Sequence, residues 1–191
     1  MKLRIEQDGR LYRIALSSPE IRNVIDAEGC RDLLREIRSA EADASVGAIL
    51  LEADGHIFCA GCEPDEELLS IGRNISKPII AAAQGVVLSG GLALAANAHV
   101  LIAAQGTSFG LTDIREGRSS AAVGRALAHA IGERRAVELG LSGRIFSTPE
   151  ALAWGLAHHV APAFELDDRA TEVAMGIANA HPDAIRDMLK I

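Results

Sequence analysis

The chain has 191 residues, of which 49% are hydrophobic and 24% charged, a composition typical of a soluble globular protein with a buried core. Aromatic residues make up only 3% of the chain, which excludes the stacking surface that single-stranded nucleic acid requires. The formal net charge of −7 has the opposite sign to a polyanion-binding surface, so we expect no nucleic-acid partner.

The N-terminal region predicts a hairpin followed by a helix. Residues 2–7 and 10–16 alternate polar and apolar side chains around Asp8-Gly9, and an Asp-Gly pair between two such runs is a strong hairpin signal. After Asp26, apolar residues recur at helical spacing, and aspartate is a common N-cap. We therefore expect two antiparallel strands and then a helix that begins after Asp26.

Three shorter elements follow. Residues 46–51 are an apolar run without a helix or strand breaker, which predicts a buried strand. Residues 58–62 are mostly small and predict a turn. Residues 63–71 begin with several acidic side chains and predict a short acidic helix.

The stretch 78–112 contains no Asp, Glu, Lys or Arg and is the one candidate for a membrane span. A spanning helix needs about 20 mostly apolar residues in succession, whereas glycines and polar side chains interrupt this stretch. We therefore interpret it as several short buried elements. These are a strand at 79–83, a turn at 85–91, a helix at 92–98 and a strand at 100–103.

The C-terminal part predicts helices. The chain becomes helical after Ala121, and Ser147 with Glu150 three residues later predicts a capping-box start. Gly155 marks the end of that helix. Two further helices are predicted, at residues 165–180 and 182–190. Because strands and helices alternate along the chain, we expect an α/β fold with a mostly parallel sheet and crossover helices.

The cysteine content indicates the cellular compartment of the protein. Cys30, Cys59 and Cys62 are an odd number without paired spacing, which favours a reducing compartment over a disulfide framework. The first residues also lack the apolar segment and cleavage site of a signal peptide. We therefore expect a cytoplasmic protein.

Two glycine-containing turns each lie between a predicted strand and a predicted helix, at residues 57–62 and 85–92. A helix N-terminus leaves backbone N–H groups without partners, and two such groups aimed at one point would form an oxyanion hole. The alternative is that both segments are ordinary tight turns. The second turn lacks the Walker and dinucleotide-binding patterns, so a nucleotide site is disfavoured.

Five blocks of the sequence match one family in order. They are Ser17–Asp26, Val46–Leu51, Phe58–Cys62, Lys77–Gly85 with Ser89-Gly90-Gly91, and Phe109–Asp113. With these blocks, the chain resembles the enoyl-CoA hydratase/isomerase (crotonase) family. Several blocks in the same order are far more specific than any one of them.

The resemblance implies a crotonase-like ββα superhelix. It divides the chain into a core at residues 1–162 and a C-terminal helical segment at residues 163–191, which is truncated relative to the family. It also implies an acyl-CoA substrate, with coenzyme A as part of that substrate and no other cofactor or metal. A homo-oligomer is expected, as a trimer or a hexamer, without a membrane span.

The resemblance also implies a set of site residues. The backbone N–H groups of Cys62 and Gly90 would polarise the thioester carbonyl, and Asp113 would be the catalytic base. The alternative for Asp113 is that it caps or anchors the following segment. Arg22 lies where the family has a basic side chain near the CoA phosphates, although it could equally be a surface arginine. The remaining substrate-binding residues implied are Ala60, Gly61 and Gly91.

One departure from the family pattern concerns the reaction. Hydratases of the family carry a glutamate where this chain has Ala93, and hydration uses two carboxylates to position and split water. A single carboxylate suffices to move a proton between two carbons. We therefore expect an enolate-stabilising enzyme that favours isomerisation over hydration. The alternatives are an inactive acyl-CoA-binding or assembly protein, or an acyl-CoA decarboxylase or thioester hydrolase.

Two nearby side chains receive structural interpretations. Glu116 is interpreted as a solvated charge beside Arg115 and Arg118. The thiol of Cys62 is interpreted as a small packing group, because the sequence does not show the lowered pKa that a reactive thiolate requires.

Overall fold

The computed structural model describes residues 1–63, 65–118 and 121–190. In these residues the chain forms nine strands and seven α-helices. The strands are β1 (Leu3–Asp8), β2 (Leu11–Leu16), β3 (Ala48–Ala53), β4 (Ile79–Ala83), β5 (Val86–Leu88), β6 (Val100–Ala104), β7 (Ser108–Gly110), β8 (Ile145–Ser147) and β9 (His159–Ala161). The helices are α1 (Ala27–Ala42), α2 (Gly90–Asn97), α3 (Ala121–Ile131), α4 (Glu133–Ser142), α5 (Thr148–Ala153), α6 (Leu166–Ala178) and α7 (Pro182–Met188).

The strands form two sheets. The larger sheet has the order β1-β2-β3-β4-β6-β9, and only its β1–β2 hairpin is antiparallel. The smaller sheet has the order β5-β7-β8, in which β5 and β7 are parallel and β7 and β8 antiparallel. The predicted hairpin and mostly parallel sheet are therefore confirmed.

Both faces of the central strands of the larger sheet are buried, whereas the edge strand β1 is exposed. In β3, Ile49 and Leu51 face the main core, whereas Leu50 faces a second cluster formed with α6. The alanines of α6 at positions 170, 174 and 178 lie in that second cluster. Their small side chains allow the helix to approach the sheet closely. Burial on two faces explains why the central strands are nearly continuous apolar runs.

Local signals correctly predicted several boundaries. Asp26 caps α1, because its carboxylate accepts a hydrogen bond of 2.8 Å from the N–H of Gly29. Ser147 and Glu150 form the predicted capping box at α5. The stretch 78–112 divides into β4, β5, α2, β6 and β7. Among the described residues, the helices are all too short or too polar to cross a membrane.

Two local predictions were wrong. The expected acidic helix at 63–71 is a 3-10 helix at Leu68–Arg73. Leu68 and Ile71, three residues apart, are both buried, a spacing that α and 3-10 helices share, so the pattern does not distinguish the two. Pro64 lies outside the described residues. The expected turn at 85–91 contains strand β5 and the start of α2. Strand β5 forms because it pairs with β7, a contact that local sequence does not reveal. The division at residue 162 stays a prediction.

Two histidines that accept hydrogen bonds from the backbone predict the pH dependence of stability. The Nδ1 atom of His99 accepts the N–H of Ile79 at 2.9 Å, and Nδ1 of His158 accepts the N–H of Leu101 at 3.0 Å. Burial lowers the pKa of both imidazoles, so each is neutral in the fold and must lose its acceptor role when protonated. Their contribution is therefore complete above the unfolded-state pKa of about 6.5 and is lost as the pH falls below it.

We expect the free energy of unfolding to decrease between about pH 7.5 and about pH 5.5, by at most about 1.4 kcal/mol per pH unit for one histidine. Urea titrations at both pH values measure this change. His99→Asn keeps an acceptor for Ile79 without the titration and should flatten the profile. His56→Asn, at an exposed position, is the matched control. Equal pH dependence in wild type and His99→Asn would contradict the assignment.

Candidate active site

A cavity of about 590 Å³ brings most of the predicted site residues together. It lies between the loop at 58–63, the N-terminus of α2 and the 3-10 helix at Asp113–Glu116. Six of the seven residues predicted from sequence line it: Arg22, Ala60, Gly61, Cys62, Gly90 and Asp113. Residues from distant parts of the chain therefore share one site.

A second cavity is larger, at about 660 Å³, but it contains none of these residues. Its charged side chains pair with one another. Arg13 contacts Glu52 at 2.7 Å, and Arg4 contacts Asp54 at 2.8 Å. Because its charges are already satisfied, this cavity offers fewer groups for a ligand than the one around Cys62.

Backbone hydrogen bonds hold the loop at 58–63 on two sides. On one side, the N–H of Ile25 donates to the carbonyl of Gly61 at 3.0 Å, and the N–H of Glu63 donates to the carbonyl of Ile25 at 2.9 Å. On the other side, the N–H of Leu88 donates to the carbonyl of Cys59 at 3.0 Å. Within the described part of the chain, the N–H of Cys62 has no acceptor, so it is available to a ligand.

The N-terminus of α2 presses directly against this loop. A Cβ atom built at position 90 would lie 2.6 Å from the carbonyl oxygen of Cys62 and 2.9 Å from its Cα atom, so only glycine fits there. The N–H of Gly90 also has no acceptor among the described residues, as expected for the first turn of a helix. Two N–H groups without acceptors among the described residues therefore belong to adjoining backbone segments that line one cavity. An oxyanion hole needs two such donors.

Ser89 was missed by the sequence analysis. It lines the cavity immediately before Gly90 and has a φ of +51°, an uncommon conformation for a residue other than glycine. Its N–H donates to the carbonyl of Gly110 at 2.8 Å, which holds the turn in this conformation. No sequence signal indicates the left-handed backbone, because it depends on pairing with β7.

Gly91 does not lie where the predicted substrate contact requires it. It is absent from the residues that line the cavity, and a Cβ atom at this position would lie 2.5 Å from the carbonyl oxygen of Cys59. The glycine is required for close packing of α2 on the loop. Its position therefore does not support the predicted substrate contact.

Asp113 lines the same cavity, at the start of the 3-10 helix that follows β7. Its Oδ1 atom accepts a long hydrogen bond of 3.4 Å from Arg118. Its Oδ2 atom is buried and has no partner among the described residues, which leaves a lone pair free to take a proton. Both of the roles considered for Asp113, base and local anchor, have a structural counterpart.

The cavity wall contains further acidic side chains, but Ala93 is not part of it. Glu116 lines the cavity and contacts Arg118 at 2.5 Å, with 60% of its side chain exposed, which fits the predicted solvated charge. Glu63, missed by the sequence analysis, also lines the cavity. Ala93 is completely buried in the main core and is not part of the cavity wall.

Arg22 is exposed and has a φ of +57°. The next residue, Asn23, holds this loop in place: its side-chain amide donates to the carbonyls of Asp54 and Ile57 at 3.0 and 2.8 Å. Its Oδ1 atom accepts the N–H of Ser18 at 2.8 Å. This buried amide fixes the loop that places Arg22 at the cavity.

The contact at Gly90 can be tested by substitution. We expect Gly90→Ala to lower the free energy of unfolding by about 1–3 kcal/mol, because the added methyl group has no space beside Cys62. Gly124→Ala, in α3, is the matched control. It has open space around it and should raise stability by up to about 1 kcal/mol through helix propensity. Urea unfolding measures both; a neutral Gly90→Ala would contradict the close contact.

The chain is similar to known proteins of one family. Residues 62–191 match the family model described as enoyl-CoA hydratase/isomerase. The chain is 30% identical to mevalonyl-coenzyme A hydratase of Aspergillus fumigatus, over 91% of this chain and 71% of the relative. It is 33% identical to a probable mitochondrial enoyl-CoA hydratase of Dictyostelium discoideum, over 91% and 69% of the two chains.

A solved structure extends the comparison to the fold. A probable enoyl-CoA hydratase from Mycobacterium smegmatis superposes with a TM-score of 0.89 at 27% identity, over 98% of this chain and 83% of that one. The predicted crotonase-like α/β fold is therefore confirmed, as is the resemblance carried by the five sequence blocks. The chain belongs to the enoyl-CoA hydratase/isomerase family.

Proposed function

We propose that the cavity binds the thioester end of an acyl-CoA and that the N–H groups of Cys62 and Gly90 donate to its carbonyl oxygen. When a proton leaves the neighbouring carbon, negative charge develops on this oxygen as the enolate forms. Preorganised donors stabilise that charge, and one such donor contributes roughly 3–4 kcal/mol to lowering the barrier. The support comes from family membership and from the two N–H groups, for which residues 1–63, 65–118 and 121–190 provide no acceptor.

Arg22 supplies the recognition of coenzyme A in this proposal. It is exposed at the cavity, and a guanidinium binds phosphate oxygens through paired, charge-assisted hydrogen bonds. Coenzyme A enters only as part of the substrate, with no further cofactor. We also infer a cytoplasmic homo-oligomer, a trimer or a hexamer.

The reaction we propose is isomerisation of the enoyl double bond, with Asp113 as the base. Its Oδ2 atom would take a proton from one carbon beside the enolate and return it to another. The observation that carries this choice is that Asp113 lines the same cavity as Cys62 and Gly90, and that its buried Oδ2 has no partner among the described residues. The buried Ala93 supplies no second carboxylate for hydration.

A second candidate is an inactive acyl-CoA-binding protein. The hydrogen bond between Arg118 and Asp113 favours it, because it gives Asp113 the role of a local anchor for the segment that follows. Decarboxylation and thioester hydrolysis would use the same two N–H groups, and their products distinguish them.

The choice between these reactions can be tested with 3-enoyl-CoA and 2-enoyl-CoA substrates of several chain lengths. We expect a product of unchanged mass, in which the double bond has moved, and incorporation of deuterium from heavy water. Asp113→Asn should reduce this turnover by about 100-fold or more. Acyl-CoA should still raise its melting temperature, since ligand binding stabilises the folded state.

Glu116→Gln is the matched control, because Glu116 contacts the same Arg118 but is largely exposed. It should retain turnover within a few-fold of wild type. A product heavier by one water would overturn the isomerase assignment. Turnover that survives Asp113→Asn would exclude Asp113 as the base, and binding without any turnover would establish the inactive protein.

A further inference from the structure

Two cysteines that are 32 residues apart in sequence meet beside the cavity. The Sγ atoms of Cys30 and Cys62 are 3.4 Å apart, at hydrogen-bond distance for sulfur. Cys30 is in the first turn of α1 and is buried, whereas Cys62 is partly exposed and lines the cavity. A small molecule that enters the cavity therefore reaches the pair from the side of Cys62.

The environment distinguishes this pair from the third cysteine. The hydrogen bond between the two thiols lowers the pKa of Cys30 and raises that of Cys62, so the two groups titrate as a coupled pair. Burial raises the pKa of Cys59 to about 12, and its thiol donates to the carbonyl of Gly61 at 3.1 Å. Cys59 is therefore the unreactive thiol of the three.

We propose that Cys30 and Cys62 form a reversible disulfide that switches off the cavity. A disulfide bond is about 2.05 Å long, so the two sulfurs must approach by about 1.4 Å from their separation in the structure. This displacement is small enough for side-chain rotation and a slight movement of the loop. The effect on the cavity rests on the proposed function, whereas the pairing of the cysteines does not.

The oxidant we infer is a peroxide. The pair loses one proton, and the resulting thiolate attacks an oxygen of hydrogen peroxide, so that an S–O bond forms, the O–O bond breaks and hydroxide leaves. The second sulfur then attacks the sulfenic acid; the S–S bond forms, the S–O bond breaks and a second hydroxide leaves. The hydroxides take up the two thiol protons, so two thiols and one peroxide yield one disulfide and two waters. A dithiol reverses the reaction by exchange.

The disulfide acts on the site through the backbone of Cys62. Cys62 is confined on two sides. Ile25 makes backbone hydrogen bonds to both of its neighbours, Gly61 and Glu63. Gly90 packs so closely against it that a Cβ atom at position 90 would not fit. The part of the sulfur movement that side-chain rotation does not supply must come from the backbone of Cys62, and it shifts the N–H of Cys62 relative to the N–H of Gly90. A misplacement of about 1 Å in a catalytic arrangement can cost about 100-fold in rate.

The pairing is tested on the full chain by thiol titration and peptide mapping after treatment with hydrogen peroxide. We expect the three free thiols to fall to one, with a cross-linked Cys30–Cys62 peptide pair, and dithiothreitol to restore all three. Cys59→Ala is the matched control and should still lose both of its thiols. Cys30→Ala and Cys62→Ala should each form no intramolecular disulfide, and the map of the unmodified chain decides the pairing if either fails to fold.

Retention of three thiols, a different pairing or a cross-link between two chains would overturn the proposal. The switch itself is measured by turnover of the enoyl-CoA substrate before oxidation, after oxidation and after reduction. We expect a loss of at least about tenfold that dithiothreitol reverses. A disulfide that forms without this loss overturns the switch. If no substrate is turned over, the proposed function fails, but the disulfide can still be tested. The rise in melting temperature that acyl-CoA causes is then compared before and after oxidation, and a smaller rise after oxidation supports the switch.

Discussion

The structure depends on one close backbone contact, between the first residue of α2 and the loop that carries Cys62. Because Gly90 has no side chain, the helix N-terminus can lie against the carbonyl and Cα atoms of Cys62. Two N–H groups that line the cavity beside this contact have no acceptor among the residues that the structure describes. A carbonyl oxygen that develops negative charge would supply the acceptor.

Backbone hydrogen bonds connect the segments at this contact with the other segments that line the cavity. Strand β5 leads into Ser89, whose N–H is bonded to the carbonyl of Gly110 at the end of β7. The chain then continues directly into Asp113. The loop that precedes α1 bonds to the opposite edge of the Cys62 segment through Ile25. Three distant segments are therefore positioned mainly by main-chain hydrogen bonds, which tolerate wide changes in side chains.

The elements predicted correctly from sequence are those with local causes. The Asp8-Gly9 turn, the Asp26 cap and the Ser147 capping box each act within a few residues. Strands β5, β7 and β8 form through pairing across the chain, so neither their extent nor the φ of Ser89 could be inferred locally. For the site, the ordered motif blocks identified six cavity residues together. They did not show that Gly91 is a packing glycine outside the cavity wall. They also did not reveal that Cys30, in α1, contacts Cys62.

The central claim is that Cys62 and Gly90 both donate to one thioester carbonyl. Infrared difference spectroscopy of an acyl-CoA with a carbon-13 label in its carbonyl group, bound to the reduced protein, tests this claim most directly. Hydrogen bonds from two N–H groups weaken the C=O bond, so the labelled stretching band should shift to lower frequency on binding. A bound thioester whose band stays at its position in water would contradict the claim.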